Sequence, residues 1–188
     1  MSNRSNVTKQ KLLDAATTII MDNGVHQLTL DEVAKTAGVS KGGLLYHYPS
    51  KEALLTAIVE RLQQEENELY ESLQREGFGP VEAFVRLFDE TKLHPERSPI
   101  QIDAEKMISF ITLFAVDQEY AARWKRDLDA FFETFQKTSD PAETMIIRYA
   151  LEGMMMSEHF GVGVPPAELK QAIITRLIER AKHIDTKP

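Results

Sequence analysis

The chain contains no cysteine. That excludes a disulfide framework, a thiolate nucleophile and any zinc centre built on sulfur, and it fits a reducing compartment. No apolar run approaches the ~20 residues that a membrane-spanning helix requires. The opening residues, MSNRSNVTKQ, lack the apolar segment of a signal peptide, so a cytoplasmic protein with no membrane partner is expected. Catalytic signatures are scarce. There is neither a P-loop nor an H-E-x-x-H pair, and His26, His47, His94, His159 and His183 are scattered. His159 sits beside Glu158, but adjacent residues on a helix point apart. No enzymatic activity, cofactor or metal is expected.

What is present is a chain of 188 residues and 21.4 kDa, 43% hydrophobic and 27% charged. It can bury a core and is not a disordered chain. Its size suits one ordinary domain or two small ones. The net charge is −7, which taken whole argues against a polyanionic partner. The distribution argues otherwise. Residues 1–55 carry six Lys and Arg against five Asp and Glu, net +1, whereas the remainder carries 16 against 24, net −8. Phosphate binding depends on local charge, so a nucleic-acid partner would belong at the N-terminal end.

Apolar residues recur at three- and four-residue steps throughout, which predicts an all-α fold of about nine helices. These cover roughly residues 8–23, 29–38, 40–47, 50–77, 80–94, 102–116, 119–137, 141–160 and 165–183. Thr29 and Glu32 spell a capping box, and Ser40, Ser50 and Asp140 are helix-capping residues. Gly24, Gly38 and Gly161 are helix stops. The domain boundary is expected within the fourth helix, giving segments 1–52 and 53–188.

The segment TLDEVAKTAGVSKGGLLYHYPSK, residues 29–51, places two short helices around Gly38. Small residues at Ala34, Ala37 and Val39 suit a steep crossing, as in a helix-turn-helix whose second helix can enter the DNA major groove. Gly42 and Gly43 open that helix. They serve either close packing on the first helix or close approach of a bare backbone to base pairs. Leu44 and Tyr48, four residues apart, are assigned to the core. Tyr46 and His47 then face outward, where they can donate to phosphates, and Lys41 and Lys51 flank the helix as phosphate clamps. Thr29, Ser40 and Ser50 bring helix N-termini to one side. A tight helical hairpin with no DNA role, acting as a protein interaction module, is the alternative.

This segment and its extension, TLDEVAKTAGVSKGGLLYHYPSKEALL, preceded by KLLDAATTIIMDNG, resemble the DNA-binding domain of the TetR family of bacterial one-component transcription regulators. The resemblance covers about residues 8–60. It implies a three-helix DNA-binding domain, a connecting fourth helix, and a larger helical domain for effector and dimer contacts. It also implies a homodimer on palindromic double-stranded operator DNA, most often a repressor, released by a small molecule. By position, Thr29 and Ser40 would contact phosphate, and Lys41, Gly42, Gly43 and Leu45 would face the groove. Tyr46, His47 and Lys51 would hold the backbone. Many family members carry an aromatic residue where this chain has Leu45, which can touch a thymine methyl but cannot hydrogen-bond. Arg4, Lys9 and Lys11 form either a DNA-contacting arm or a solvated terminus.

In the C-terminal part, Phe88, Met107, Phe110, Phe114, Trp124, Tyr149 and Met154 are candidates for an effector pocket or for core. The same residue types would line either. The acidic surplus, with Glu105, Glu152 and Glu158 inside apolar stretches, is compatible with an apolar or lipophilic cationic effector. Ile146, Tyr149 and Gly153 share one helical face, and Leu169, Ile173 and Leu177 another. These faces are expected at a four-helix dimer interface, with burial inside the subunit as the competing role.

Overall fold

A computed structural model describes residues 3–91 and 118–185 of the chain. Its regular structure is helical, with no strand among the described residues. The elements are α1 (Asn3–Asn23), a short 3-10 turn (Val25–Gln27), α2 (Leu30–Ala37), α3 (Lys41–His47), α4 (Lys51–Arg75), α5 (Pro80–Thr91), α6 (Gln118–Gln136), α7 (Pro141–Phe160) and α8 (Ala167–Asp185). The helix expected over residues 102–116 lies outside the described residues. Helix α1 begins five residues before the sequence suggests, and the 3-10 turn is not foreseen.

The described residues fall into two compact units, and the division comes within α4, after Gln63. The first unit is built around α1. Leu12, Leu13, Ala15, Ala16, Ile19 and Ile20 bury one face of that helix, as its three- and four-residue spacing requires. Val33 and Ala34 of α2, Leu44 and Tyr48 around α3, and Leu54 and Ile58 of α4 are buried with them. Four joints fix this small body. The Thr29 hydroxyl accepts the Glu32 N–H at 3.2 Å and starts α2. Gly38 ends α2 in a left-handed conformation (φ 65°), which glycine adopts without steric cost. Ser40 starts α3 by accepting the Gly43 N–H at 3.1 Å, and Ser50 starts α4 by accepting that of Ala53 at 3.1 Å. On α4, the Arg61 guanidinium reaches α1, donating to Asp14 at 2.6 Å and Thr17 at 2.9 Å.

The second unit has its own core. Val81, Phe84, Val85 and Phe88 of α5 pack with Phe135, Ile147, Leu151, Met154, Ile174, Leu177, Ala181 and Ile184. Phe84 lies edge-on to Phe135, ring centroids 5.0 Å apart, in the arrangement aromatic quadrupoles favour. Asp140 caps α7 by accepting the Glu143 N–H at 3.0 Å, with Pro141 in the first turn, and Gly161 ends it at φ 64°. Glu82, buried on α5, accepts from Arg86 at 2.7 Å, and Lys182 of α8 lies 3.9 Å away. The Arg148 guanidinium lies 3.5 Å over the Phe132 ring.

Candidate nucleic-acid interface

The exposed face of α3 is the best-defined candidate site. The helix is anchored from beneath by Leu44 and Tyr48, both buried as the four-residue spacing requires. That leaves Lys41, Gly42, Leu45 and Tyr46 facing solvent, with Tyr46 82% and Leu45 38% exposed. His47 is half-buried, and its ring stands edge-on to Tyr46 at 5.1 Å. No acid occurs from Ser40 to Ser50. Thr29 and Ser40 are exposed at the starts of α2 and α3, where unpaired backbone N–H groups and the helix dipole favour an anion.

The two glycines differ. A Cβ built on Gly42 would meet nothing within 4 Å, so no internal packing calls for glycine there. A Cβ on Gly43 would come within 2.9 Å of Val39 Cγ1 and 3.2 Å of Ser40 Oγ. Gly43 is therefore set by its own turn, and packing on α1 explains neither residue.

The two lysines differ as well. Lys41 is paired with Asp31, Nζ lying 2.9 and 3.0 Å from the carboxylate oxygens. The Lys51 ammonium donates to the Val25 carbonyl at 3.0 Å and ties the start of α4 to the 3-10 turn. Two of its N–H donors remain for a phosphate, but the residue also has a structural task that its sequence position does not reveal. Asp31 and Arg61 were not singled out by the sequence. Asp31 is one of two acids in the first turn of α2, and the Arg61 contact spans 47 and 44 residues of chain.

Residues 38–42 spell G-V-S-K-G, the pattern of a hydrolase nucleophile elbow. That motif needs a strand-to-helix turn with an exposed, activated serine. Here the turn joins two helices, and the Ser40 hydroxyl is engaged as a cap.

Among the described residues of this unit, two ionisable groups are shifted. Burial raises the Tyr48 phenol above its ordinary value of 10, with Arg61 opposing and Glu60 adding to the shift. Glu52, at the start of α4, is lowered by a hydrogen bond from its own backbone N–H and one from Ser50.

Of the C-terminal effector candidates, the structure describes the side chains of Phe88, Tyr149 and Met154. Phe88 and Met154 are buried members of the second core, because their helix faces turn inward. Tyr149 is 60% exposed on α7, on the face opposite Ile147 and Leu151. The Met107, Phe110 and Phe114 positions, like Glu105, lie outside the described residues, and so does the Trp124 side chain. Glu152 and Glu158 are already paired, with Arg148 at 2.7 Å and Lys170 at 2.9 Å, so neither offers an isolated negative charge. Of the expected interface residues, Ile146, Gly153 and Leu169 are exposed, and Ile173 packs partly against the core. Leu177 is a correction: it is 4% exposed, buried among α5, α7 and α8 residues of its own unit. A depression of about 260 Å³ is lined by Ser139, Asp140, Glu143, Arg180, His183 and Ile184, none of them an effector candidate. Among the described residues no cluster of His, Asp or Glu could hold a metal ion, and no helix is long and apolar enough to cross a membrane.

A capped two-helix motif with an exposed, acid-free second helix, followed by a separate helical unit, is the layout of a helix-turn-helix protein. Residues 12–58 match the family described as bacterial regulatory proteins, tetR family, and residues 79–182 match the tetracyclin repressor-like C-terminal domain. The chain belongs to the tetR family. The HTH-type transcriptional regulator UidR of Escherichia coli (strain K12) is 36% identical over 69 residues, covering 37% of this chain and 34% of that protein. The regulator RutR of the same strain is 43% identical over 54 residues, 29% of this chain and 26% of its own length. The chain thus matches about a third or less of these curated relatives. Among solved structures, the regulator SCO7518 of Streptomyces coelicolor A3(2) has a TM-score of 0.65 at 18% identity, covering 96% of this chain and 99% of that one. The multidrug binding protein EbrR complexed with malachite green has a TM-score of 0.61 at 19% identity, covering 90% and 96%. These structural likenesses concern the fold.

Proposed function

We propose that this tetR-family chain is a homodimeric, ligand-responsive transcription regulator, acting as a repressor on a palindromic operator. The observation that carries the proposal is the solvent face of α3. Lys41, Gly42, Leu45 and Tyr46 are exposed on it while Leu44 and Tyr48 hold the helix from beneath. Gly42 lets the backbone approach base pairs, and Leu45 offers apolar contact to a thymine methyl. Tyr46, His47 and Lys41 meet phosphates, which fix orientation without reading sequence. Thr29, Ser40, Gly43 and Lys51 belong to the same DNA-facing set, the first two through the helix N-termini they cap.

The partner copy would seat on α7. Ile146, Tyr149, Gly153, Met156 and Phe160 recur at helical spacing along one exposed face, joined by Leu169 of α8. An apolar stripe of that length suits a self-complementary interface. Two half-sites on DNA are read about one helical turn, ~34–36 Å, apart, so an effector that changes the separation of the two α3 helices would release the operator. The effector is an apolar small molecule or lipophilic cation taken up by the second unit. EbrR, named as a multidrug binding protein, supports that class by likeness of fold.

Fluorescence anisotropy with duplexes tiled across the region upstream of the chain's own gene tests the reading. Specific, salt-sensitive binding is expected, weakened at least tenfold by Tyr46→Ala and by His47→Ala with melting temperatures unchanged. If these variants bind every duplex as the parent does, the DNA-facing role of α3 fails and the interaction-module reading replaces it. For the effector, a rise in melting temperature with malachite green is expected, and no rise rejects the cationic-dye class.

A further inference from the structure

One pair on the proposed DNA-facing side is at odds with a surface meant for phosphate. Lys41 opens α3 and Asp31 lies in the first turn of α2, and the carboxylate grips the ammonium through both oxygens, at 2.9 and 3.0 Å. The side chains are 60% and 70% exposed, so neither is committed to a core, and redirecting either costs no more than the exposed ion pair itself. Residues 1–55 carry a net charge of only +1, so one engaged lysine is a large share of the local positive field. An aspartate beside the exposed starts of α2 and α3 also repels the anion those starts attract.

Resting on the DNA-binding reading above, we propose that Asp31 is an intramolecular stand-in for DNA phosphate, and that it sets affinity by competing for Lys41. A phosphate taking Lys41 must displace a carboxylate already held in two-oxygen contact. The protein therefore binds duplex DNA more weakly than its lysine inventory allows. The exchange Lys41–Asp31 to Lys41–phosphate leaves Asp31 exposed to water, which solvates it readily. A second role, in which Asp31 aims Lys41 at the phosphate, predicts the opposite sign for loss of the carboxylate.

The test is anisotropy on two probes, the upstream duplex and a mixed-sequence 30-base-pair duplex, each over a range of salt. Asp31→Asn is expected to tighten binding to both by roughly three- to tenfold at low salt. The slope of log affinity against log salt should steepen by about one, the increment of one more phosphate neutralised. In the Lys41→Ala background most of that gain should vanish. An equal gain in both backgrounds overturns the proposal, because Asp31 then acts only through its own charge. Weaker binding by Asp31→Asn overturns it in favour of the aiming role. If the parent binds neither duplex, the DNA reading itself fails and the proposal with it. Melting temperatures of all variants within a few degrees of the parent would tie the changes to binding.

Discussion

At Gly42 a methyl group would meet nothing within 4 Å, and the backbone there is helical without a positive φ. Glycine costs a helix about 0.5–1 kcal/mol relative to alanine. Gly42→Ala is therefore expected to raise the stability of the first unit by up to that amount, seen as a melting temperature a few degrees higher. On the proposed DNA-facing role of α3 it should also lower duplex affinity, because the added methyl would stand between the backbone and the bases. Unchanged affinity would show that the bare backbone has no part in binding. Gly43→Ala carries no such benefit, since its Cβ would press on Val39 Cγ1 at 2.9 Å. The sequence displays both glycines but cannot distinguish them, because the difference lies in which atoms surround each one.

Helices α2, α3 and α4 illustrate what local chemistry determines. Thr29, Ser40 and Ser50 each bond an N–H three residues on, and Gly38 supplies the left-handed stop, so these boundaries are legible from residue type. The early start of α1 and the turn at Val25–Gln27 carry no comparable signal. Beneath α3, Tyr48 fixes the depth at which the helix sits. Burial holds its phenol neutral above the ordinary value of 10, so its folded pKa exceeds that of the unfolded chain. The stability this contributes is fully present below pH 10 and is lost as pH rises through the folded pKa. Circular dichroism melts between pH 8 and 11.5 should show an alkaline loss of stability that is smaller in Tyr48→Phe. An identical loss in both proteins would assign it to the lysines.

At the scale of the whole molecule, apolar patterning marks helical faces without saying what covers them. Leu177 and Leu169 look alike in sequence, yet one is buried in the second core and the other is exposed. The distinction depends on how α5, α7 and α8 pack, which no single helix encodes. The same holds for Phe88, Met154 and Tyr149, whose type suits core, pocket or interface equally. Substitution should separate these roles. Leu177→Ala is expected to destabilise the fold by about 2–4 kcal/mol, measured by denaturant unfolding, through the cavity it leaves. On the proposed dimer, Ile146→Glu should leave the subunit folded and move the sedimenting mass from two copies towards one. A dimer that survives Ile146→Glu would mean that α7 is not its interface.

The open space at Gly42 and the missing thiols together give this molecule a practical property. A cysteine placed at position 42 would be the chain's sole sulfhydryl, reachable by alkylating reagents and seated on the proposed reading surface. At duplex concentrations high enough to offset the affinity that any side chain at position 42 costs, its modification rate, followed by mass, would then act as a footprint, slowing when a duplex covers the helix and recovering when a small molecule dislodges it. Effector libraries could in this way be screened against unlabelled DNA before any operator had been mapped.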